Sequence, residues 1–452
     1  MFQYIVKLFL IQLLFSFVFC QYFYIPQDSG FNIAKWSEID SDTILIPKIG
    51  PFNNDHFINS KINKFYRYRH LSGALINIDM YNEINLYDAD CCRYKSHGSI
   101  AISLSSKLEL QNYFEFDSKG LNDPSFLGVE RGFGNGWVGY IQHSSLTYSY
   151  LNSHFSVGRG NPYFYNLNQS LLINPHSKPF EYFWWQHKYK KIEFDWGVLF
   201  LNDDGFLKNR LITFHRYGYS NSSFRVGFTE AVLVTYLDIG SSELGYLMPA
   251  SVLLETEENR GVNSNLIWLI DGLIKFNNLT VYGEILIDDF AIDGKSPPQL
   301  ASSIGVGSVL KGNLLVNLEY TLIKRWVGNH CDGEKVWVDN SIPIGHAIGP
   351  DSQSLLISAY KLINDNVALE LSSNFNNNGL GDAVDRLIEE FPVDCDRNFG
   401  YNHEKFPSST NVSYNIDMTL FYYYKNKLQC QISIQNNSID SMSSKFSVVY
   451  KF

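Results

Sequence analysis

The sequence predicts an all-β protein: a transmembrane antiparallel β-barrel of roughly 16–18 strands with a small N-terminal helical or irregular plug-like segment. Three observations carry this. Segments that alternate apolar and polar residues recur along most of the chain. Charged residues make up 18% of the 452 and Phe, Trp and Tyr 15%, a balance that suits a wall with aromatic girdles facing lipid. The chain opens on a short apolar run and closes on an alternating segment that ends in Phe452.

The N-terminal elements come first. Met1 to Cys20 carries one charge, Lys7, ahead of LFLIQLLFSFVFC. That pattern is a secretory signal peptide over residues 1–20. Phe19 stands where a lipoprotein box needs a small residue, so cleavage near Gln21 is expected. Residues 21–95, with Pro26, Pro47 and Pro51, mix helical and irregular signals and are expected to form an N-terminal periplasmic or plug segment. Residues 96–452 are expected to form the barrel. No later segment has the 18 or so apolar residues of a transmembrane helix.

The wall segments follow in order. In KIEFDWGVLF, Ile192, Phe194, Trp196, Val198 and Phe200 share one face, and Glu193 and Asp195 the other. In NLLVNLEY, Leu314, Val316, Leu318 and Tyr320 oppose Asn313, Asn317 and Glu319. In VALELSS, Val367, Leu369 and Leu371 oppose Glu370. Ile416 to Tyr424 runs up one strand and Leu428 to Ile434 down the next, across a turn at Lys425 to Lys427. In the C-terminal segment Phe446, Val448, Tyr450 and Phe452 alternate with Ser447, Val449 and Lys451. A soluble sandwich would bury the apolar face, whereas a membrane barrel turns it to lipid around a polar lumen. The signal peptide, the terminal Phe and the tyrosine-rich strand ends favour the barrel. So do short turns alternating with long loops at 325–352 and 376–410, the pattern of periplasmic and extracellular ends.

Composition narrows the function classes. A net charge of −10 argues against nucleic acid and against polyanions held by bulk charge. No CxxC or Cys/His spacing suits a metal, and no cofactor motif is present. Cys331 and Cys395 lie in long polar loops, where a disulfide is open to them in an oxidising compartment.

Five ordered motifs then stand out over roughly residues 135–375. They are GRGNPYFYNLNQSLLINPHSKPF, FRVGFTEAVLV around Glu230, LGYLMPA with Tyr246, LTVYGEILIDDF, and IPIGHAIGPDS. Together they resemble the capsule assembly protein Wzi family of outer-membrane proteins. Ser177, Lys178 and Pro179 fill the ending of that family's glycine-rich segment. Departures are Met248 for an Asn, and Arg159 and Tyr163 in a usually tryptophan-rich stretch. The resemblance implies a lectin-like barrel with a blocked lumen that holds surface polysaccharide without catalysis.

The glycan-binding or lumen-lining candidates follow from these segments. Arg159, Asn161, Asn168, Asn174 and Lys178 belong to the first motif, where they either face a sugar or tie the loop to the wall; tying is favoured. Glu230 and Tyr246 come from the second and third. Glu193, Asp195, Glu284, Glu319 and Glu370 share lumen parity and are expected to pair with arginines. Asp288 and Asp289 should mark a strand's exit from the membrane, paired with Arg210, Arg216 or Arg225. His346 and Asp351 read as a shaped loop. His143 and Ser145 share a strand face, which opens a minor reading as an outer-membrane phospholipase. A porin or polysaccharide export channel is the main alternative. Expected partners are surface polysaccharide, outer-membrane lipids, and the barrel-assembly machinery through Phe452.

Overall fold

The computed structural model describes residues 76–451 apart from 88–92, 106, 119–128, 131–136, 161–168, 175–178, 203–208, 236–243, 250, 261–263, 290–298, 312–313, 331–332, 340–341, 365, 380–410, 425–427 and 438–442. The signal peptide, Asn161, Asn168, Lys178, Cys331, Cys395 and Phe452 lie outside the described residues, as does the N-terminal segment up to residue 75.

The strands are β1 (Ile76–Tyr87), β2 (Arg93–Ser105), β3 (Leu108–Asp117), β4 (Val129–Glu130), β5 (Val138–Tyr150), β6 (Ser153–Gly160) and β7 (Phe180–Tyr189). Next come β8 (Ile192–Phe200), β9 (Arg210–Ser220), β10 (Phe224–Thr235), β11 (Asn265–Phe276), β12 (Leu279–Asp289), β13 (Gln299–Leu310) and β14 (Leu314–Ile323). The chain continues with β15 (Val338–Asp339), β16 (Ile342–Pro343), β17 (Ser352–Asn364), β18 (Val367–Asn378), β19 (Asn411–Tyr424), β20 (Leu428–Asn437) and β21 (Ser443–Lys451). A 3-10 turn (Leu244–Leu247) and one helix, α1 (Leu253–Arg260), lie between β10 and β11.

One antiparallel sheet holds 19 of these strands, and β15 and β16 form a separate hairpin. The two-residue β4 pairs only with β5. The other eighteen follow one another, and β21 pairs back on β1 (Ile84 opposite Val448), which closes the barrel. Closure leaves no sheet edge, as lipid demands. Eighteen is the top of the range read from the alternation. Among the described residues the wall begins at Ile76, so 76–87 and 93–95, which the sequence reading gives to the N-terminal segment, belong to β1 and β2.

Turns alternate in length around the barrel. β7–β8, β11–β12 and β17–β18 are joined by two residues each, at 190–191, 277–278 and 365–366, whereas β14–β17 and β18–β19 are joined by 324–351 and 379–410. The outer face is apolar and open: Ile192, Ile285, Ile304 and Leu318 are exposed. An aromatic belt with lysines edges it at the short-turn end. Tyr148 stacks on Tyr150 and Tyr219 on Phe224, while Lys107, Lys190 and Lys191 sit over Tyr150, Tyr189 and Tyr219. Such rings mark a membrane–water interface, with amphipathic tips at head-group level. An apolar exterior on a closed barrel stands in lipid, and the fold is that of bacterial outer-membrane barrels.

The inner face departs from the expected polar lumen. On the β7–β14 side it carries an apolar core. Trp184, Gly197, Phe214, Ala231 and Ile267 are successive cross-strand partners, and Trp184 packs edge-on against Phe214 at 4.7 Å. Leu171, Leu172 and Ile173, from the β6–β7 connection, and Trp337 and Ile344, from the β14–β17 connection, complete the same cluster. The lumen is apolar there because two connections fold into it and need an apolar partner.

Candidate functional site

The inserted segment Gln169–Asn174 packs inside the lumen against the β7–β14 wall. Leu172 and Ile173 are fully buried, and the wall holds the segment through a carboxylate. Glu284 of β12 accepts from Ser170 Oγ at 2.9 Å and from the Leu171 N–H at 2.8 Å. The second insertion grips it from the other side. The Asn174 N–H donates to Ile344 O at 2.7 Å, Trp337 Nε1 donates to Leu172 O at 2.9 Å, and the Ala347 N–H donates to Gln169 Oε1 at 2.9 Å. A Cβ on Gly345 would collide with the Leu171 carbonyl oxygen, so only glycine permits this backbone approach.

The second insertion is tied to the wall by polar clamps. Arg210 Nη1 donates to Val336 O at 3.2 Å, and Asn265 Nδ2 to Lys335 O at 2.8 Å. Asn202 donates from its backbone and its amide to the two oxygens of Asp339. Asp288 accepts from the Gly328 N–H at 2.8 Å. It thus fixes the loop through a backbone donor in place of the expected arginine. Asp289 ends β12 opposite Gln299, after a register shift from Ile287. His346 and Asp351 shape the end of this loop. Gly349 N–H donates to His346 O, Gly379 N–H donates to Asp351 O, and Asp351 holds a left-handed φ of 56°.

Nearby, the lumen wall holds an ion-pair network. Arg216, fully buried, donates from Nε and Nη2 to the two carboxylate oxygens of Asp271, both at 2.8 Å. Its Nη1 lies 3.4 Å from Glu193 and 3.5 Å from Asp195. Lys188 approaches Glu193 from the rim at 3.7 Å. Gly218 and Gly227 flank the guanidinium, and a Cβ on Gly227 would overlap it. A planar fork meeting a carboxylate side-on is the strong geometry for such a pair. The pairing of Glu193 and Asp195 with an arginine matches the sequence expectation. Asp271 was missed, although a carboxylate beside glycine in the otherwise apolar NLIWLIDGLIKF was a readable signal. Glu319 meets Tyr282 OH at 3.2 Å, and Asn317 accepts from the same hydroxyl at 2.6 Å. Arg159 sits near Glu181 at 3.7 Å and over the Tyr140 ring, at the end of β6.

Two candidates lie on the other side of the wall. Glu230 is opposite His215 and Trp268, and Phe228, two residues before it, is exposed on the outer face. Glu230 therefore points outward, where the sequence reading places it among lumen-lining candidates. It accepts from the N–H groups of Leu253 and Leu254 at 2.7 and 3.1 Å, which cap α1, and from Trp268 Nε1 at 3.4 Å. His215 Nε2 bonds Met248 O at 3.0 Å. Tyr246 is buried with Leu253 against Val198, Leu211, Val232 and Val234. The β10–β11 connection is thus an apron on the exterior wall. It shields two polar side chains that lipid would otherwise face.

His143 and Ser145 do bond, Nε2 to Oγ at 2.8 Å, and both are buried. They share the inner face with Thr147 and Ser156, which bond each other at 3.1 Å; Ser156 also meets Tyr182 OH at 3.3 Å. Among the described residues no group of three or more His, Cys, Asp or Glu is placed to hold a metal.

No protein family profile and no curated protein matches the sequence. Solved structures do. Similar to this chain is an Escherichia coli structure described as Wzi, an outer membrane protein involved in group 1 capsule assembly and a carbohydrate-binding β-barrel. It has a TM-score of 0.61 and 12% identity, covering 94% of this chain and 97% of that one. Pseudomonas aeruginosa OpdK with vanillate has a TM-score of 0.48 and 10% identity over 83% of this chain and 98% of its own. Pseudomonas aeruginosa OccK8 (OprE) has 0.49 and 7% over 83% and 97%. The first likeness, at that identity, is one of fold.

Proposed function

We propose that this outer-membrane barrel binds surface polysaccharide without catalysis, as part of capsular or exopolysaccharide assembly or attachment. The observation that carries the reading is the double insertion into the lumen. A barrel built for bulk transport has no use for an apolar core of Leu172, Ile173, Trp184, Phe214 and Trp337 across its bore. Two connections clasped together by three hydrogen bonds also count against the export-channel reading, because a polymer would have to displace both. The carbohydrate-binding description of the E. coli barrel of like fold adds support, and so do the five motifs.

The phospholipase reading is the weaker one. The His143–Ser145 pair faces the lumen and is buried, whereas a lipid ester would approach from the outer face. Retention of labelled capsular or exopolysaccharide by cells with and without the gene tests the proposal. Loss of the attached layer in the deletion strain is the expected result. An unchanged layer, with purified protein that pulls down no glycan, would overturn it.

A further inference from the structure

The lumen is not filled evenly. The inward residues of β7–β14 lie buried under the insertions, whereas Asn374, Asn376, Asn378, Ser413, Asn415 and Asp417 of β18 and β19 stay partly solvated. Register fixes which residues these are. Ser354, Asn376 and Ser413 are successive cross-strand partners, as are Leu356, Asn374 and Asn415, and Ser352, Asn378 and Asn411. Thr321, on the buried inner face of β14, pairs with Ser354 and sets the parity. The opposite face of the same strands carries Ile357, Leu371, Phe375 and Tyr414, exposed to lipid.

The stripe lies at the long-loop ends of the three strands, starting where Ser352 pairs with Ile323 at the edge of the apolar core. Apart from Leu356 its chemistry is amides and hydroxyls, with Asp417 one pair deeper opposite Ser372. No Lys or Arg occupies an inward position on the described parts of these strands. Some of its groups satisfy one another, as Ser354 Oγ donates to Asn374 Oδ1 at 2.7 Å and Asn415 Nδ2 to Asp417 Oδ2 at 2.7 Å. The amide oxygens of Asn376, Asn378 and Asn415 are shielded yet meet no protein donor. A shielded acceptor without a partner costs about 1–3 kcal/mol, a cost that turning these amides toward a donating ligand would relieve.

We propose that this stripe is the glycan site, and that it takes a neutral, polyhydroxylated saccharide segment entering from the long-loop mouth. The assignment rests on the glycan-binding reading above and adds to it a place and a charge class. Each amide offers an acceptor and two donors, matched to vicinal hydroxyls that donate and accept in turn. The lack of Lys and Arg at the described inward positions of these strands, with Asp417 one pair deeper, favours a neutral chain over a uronate-bearing one.

Isothermal titration calorimetry of the full-length protein in detergent tests this with maltohexaose and mannohexaose as neutral probes and an alginate hexamer as the acidic one. A neutral probe should bind and alginate should not. The triple variant N374A/N376A/N415A should lose at least about tenfold in affinity while its thermal transition stays in place, and N376A and N415A alone should each show part of that loss. Stronger binding of alginate, or full affinity in all three variants, would overturn the stripe while leaving glycan binding intact. No binding of either probe class, with no retention of native polysaccharide, would overturn both.

Discussion

Arg216 is the residue on which the lumen wall's charge balance turns. Asp271 lies along its fork and Glu193 and Asp195 lie at its tip. Removing a buried partner strands the others as uncompensated charge, which costs on the order of 3–5 kcal/mol. Arg216→Met should therefore lower the stability of the folded barrel in lipid vesicles by that amount, read from urea unfolding followed by tryptophan fluorescence. Arg216→Lys should recover little, because an ammonium cannot meet Asp271 side-on. Gly227→Ala should destabilise by about 1–3 kcal/mol, since its methyl needs the space of the guanidinium. A smaller effect from R216M than from G227A would contradict this account of the cluster.

At the scale of elements, two connections do opposite things: one fills the lumen and one covers the outside. Leu172→Asp would place a carboxylate in the apolar core and should free the 169–174 segment. The amides of Leu171 and Asn174, each hydrogen-bonded, should then exchange with deuterium at least about tenfold faster while the strand amides of β11–β13 keep their protection. Glu230→Ala removes the acceptor that caps α1, a loss of about 0.5–2 kcal/mol. It should make residues 244–260 cleavable by added protease on intact cells, with no change at the lumen.

These two elements also mark what the sequence made legible. β8 and β14 read correctly face by face, because lipid on one side and polar partners on the other impose strict alternation. β9 and β10 did not: RLITFHR and EAVLVT show no clean period, since at that height the insertions bury the inner face and the apron the outer one. Glu230 entered the glycan-binding or lumen-lining candidates through its motif, and nothing local announces that a helix N-terminus will cover it from outside. That the segment around Asn174 is a loop was legible from its prolines and asparagines; the tie the structure shows there is the backbone N–H of Asn174 on Ile344 O. That the apolar Leu171, Leu172 and Ile173 beside it would seal the bore depended on Trp337 and Ile344, distant in sequence.

Across the whole molecule, eighteen strands enclose a bore wide enough to conduct, and the chain then spends two of its long connections blocking it. Among the described residues, the inward amides of β18 and β19 stay partly solvated. This makes the barrel a rigid frame with a sheltered polar groove at its long-loop mouth, suited to holding a chain that remains outside. The central claim is that the bore is closed by design, and single-channel recording of the purified full-length protein in planar bilayers tests it most directly. The account predicts no steady open-channel current for the natural protein and stepwise conductance once Leu172→Asp displaces the 169–174 segment. A steady, porin-sized current through the unaltered protein, unchanged by L172D, would contradict it.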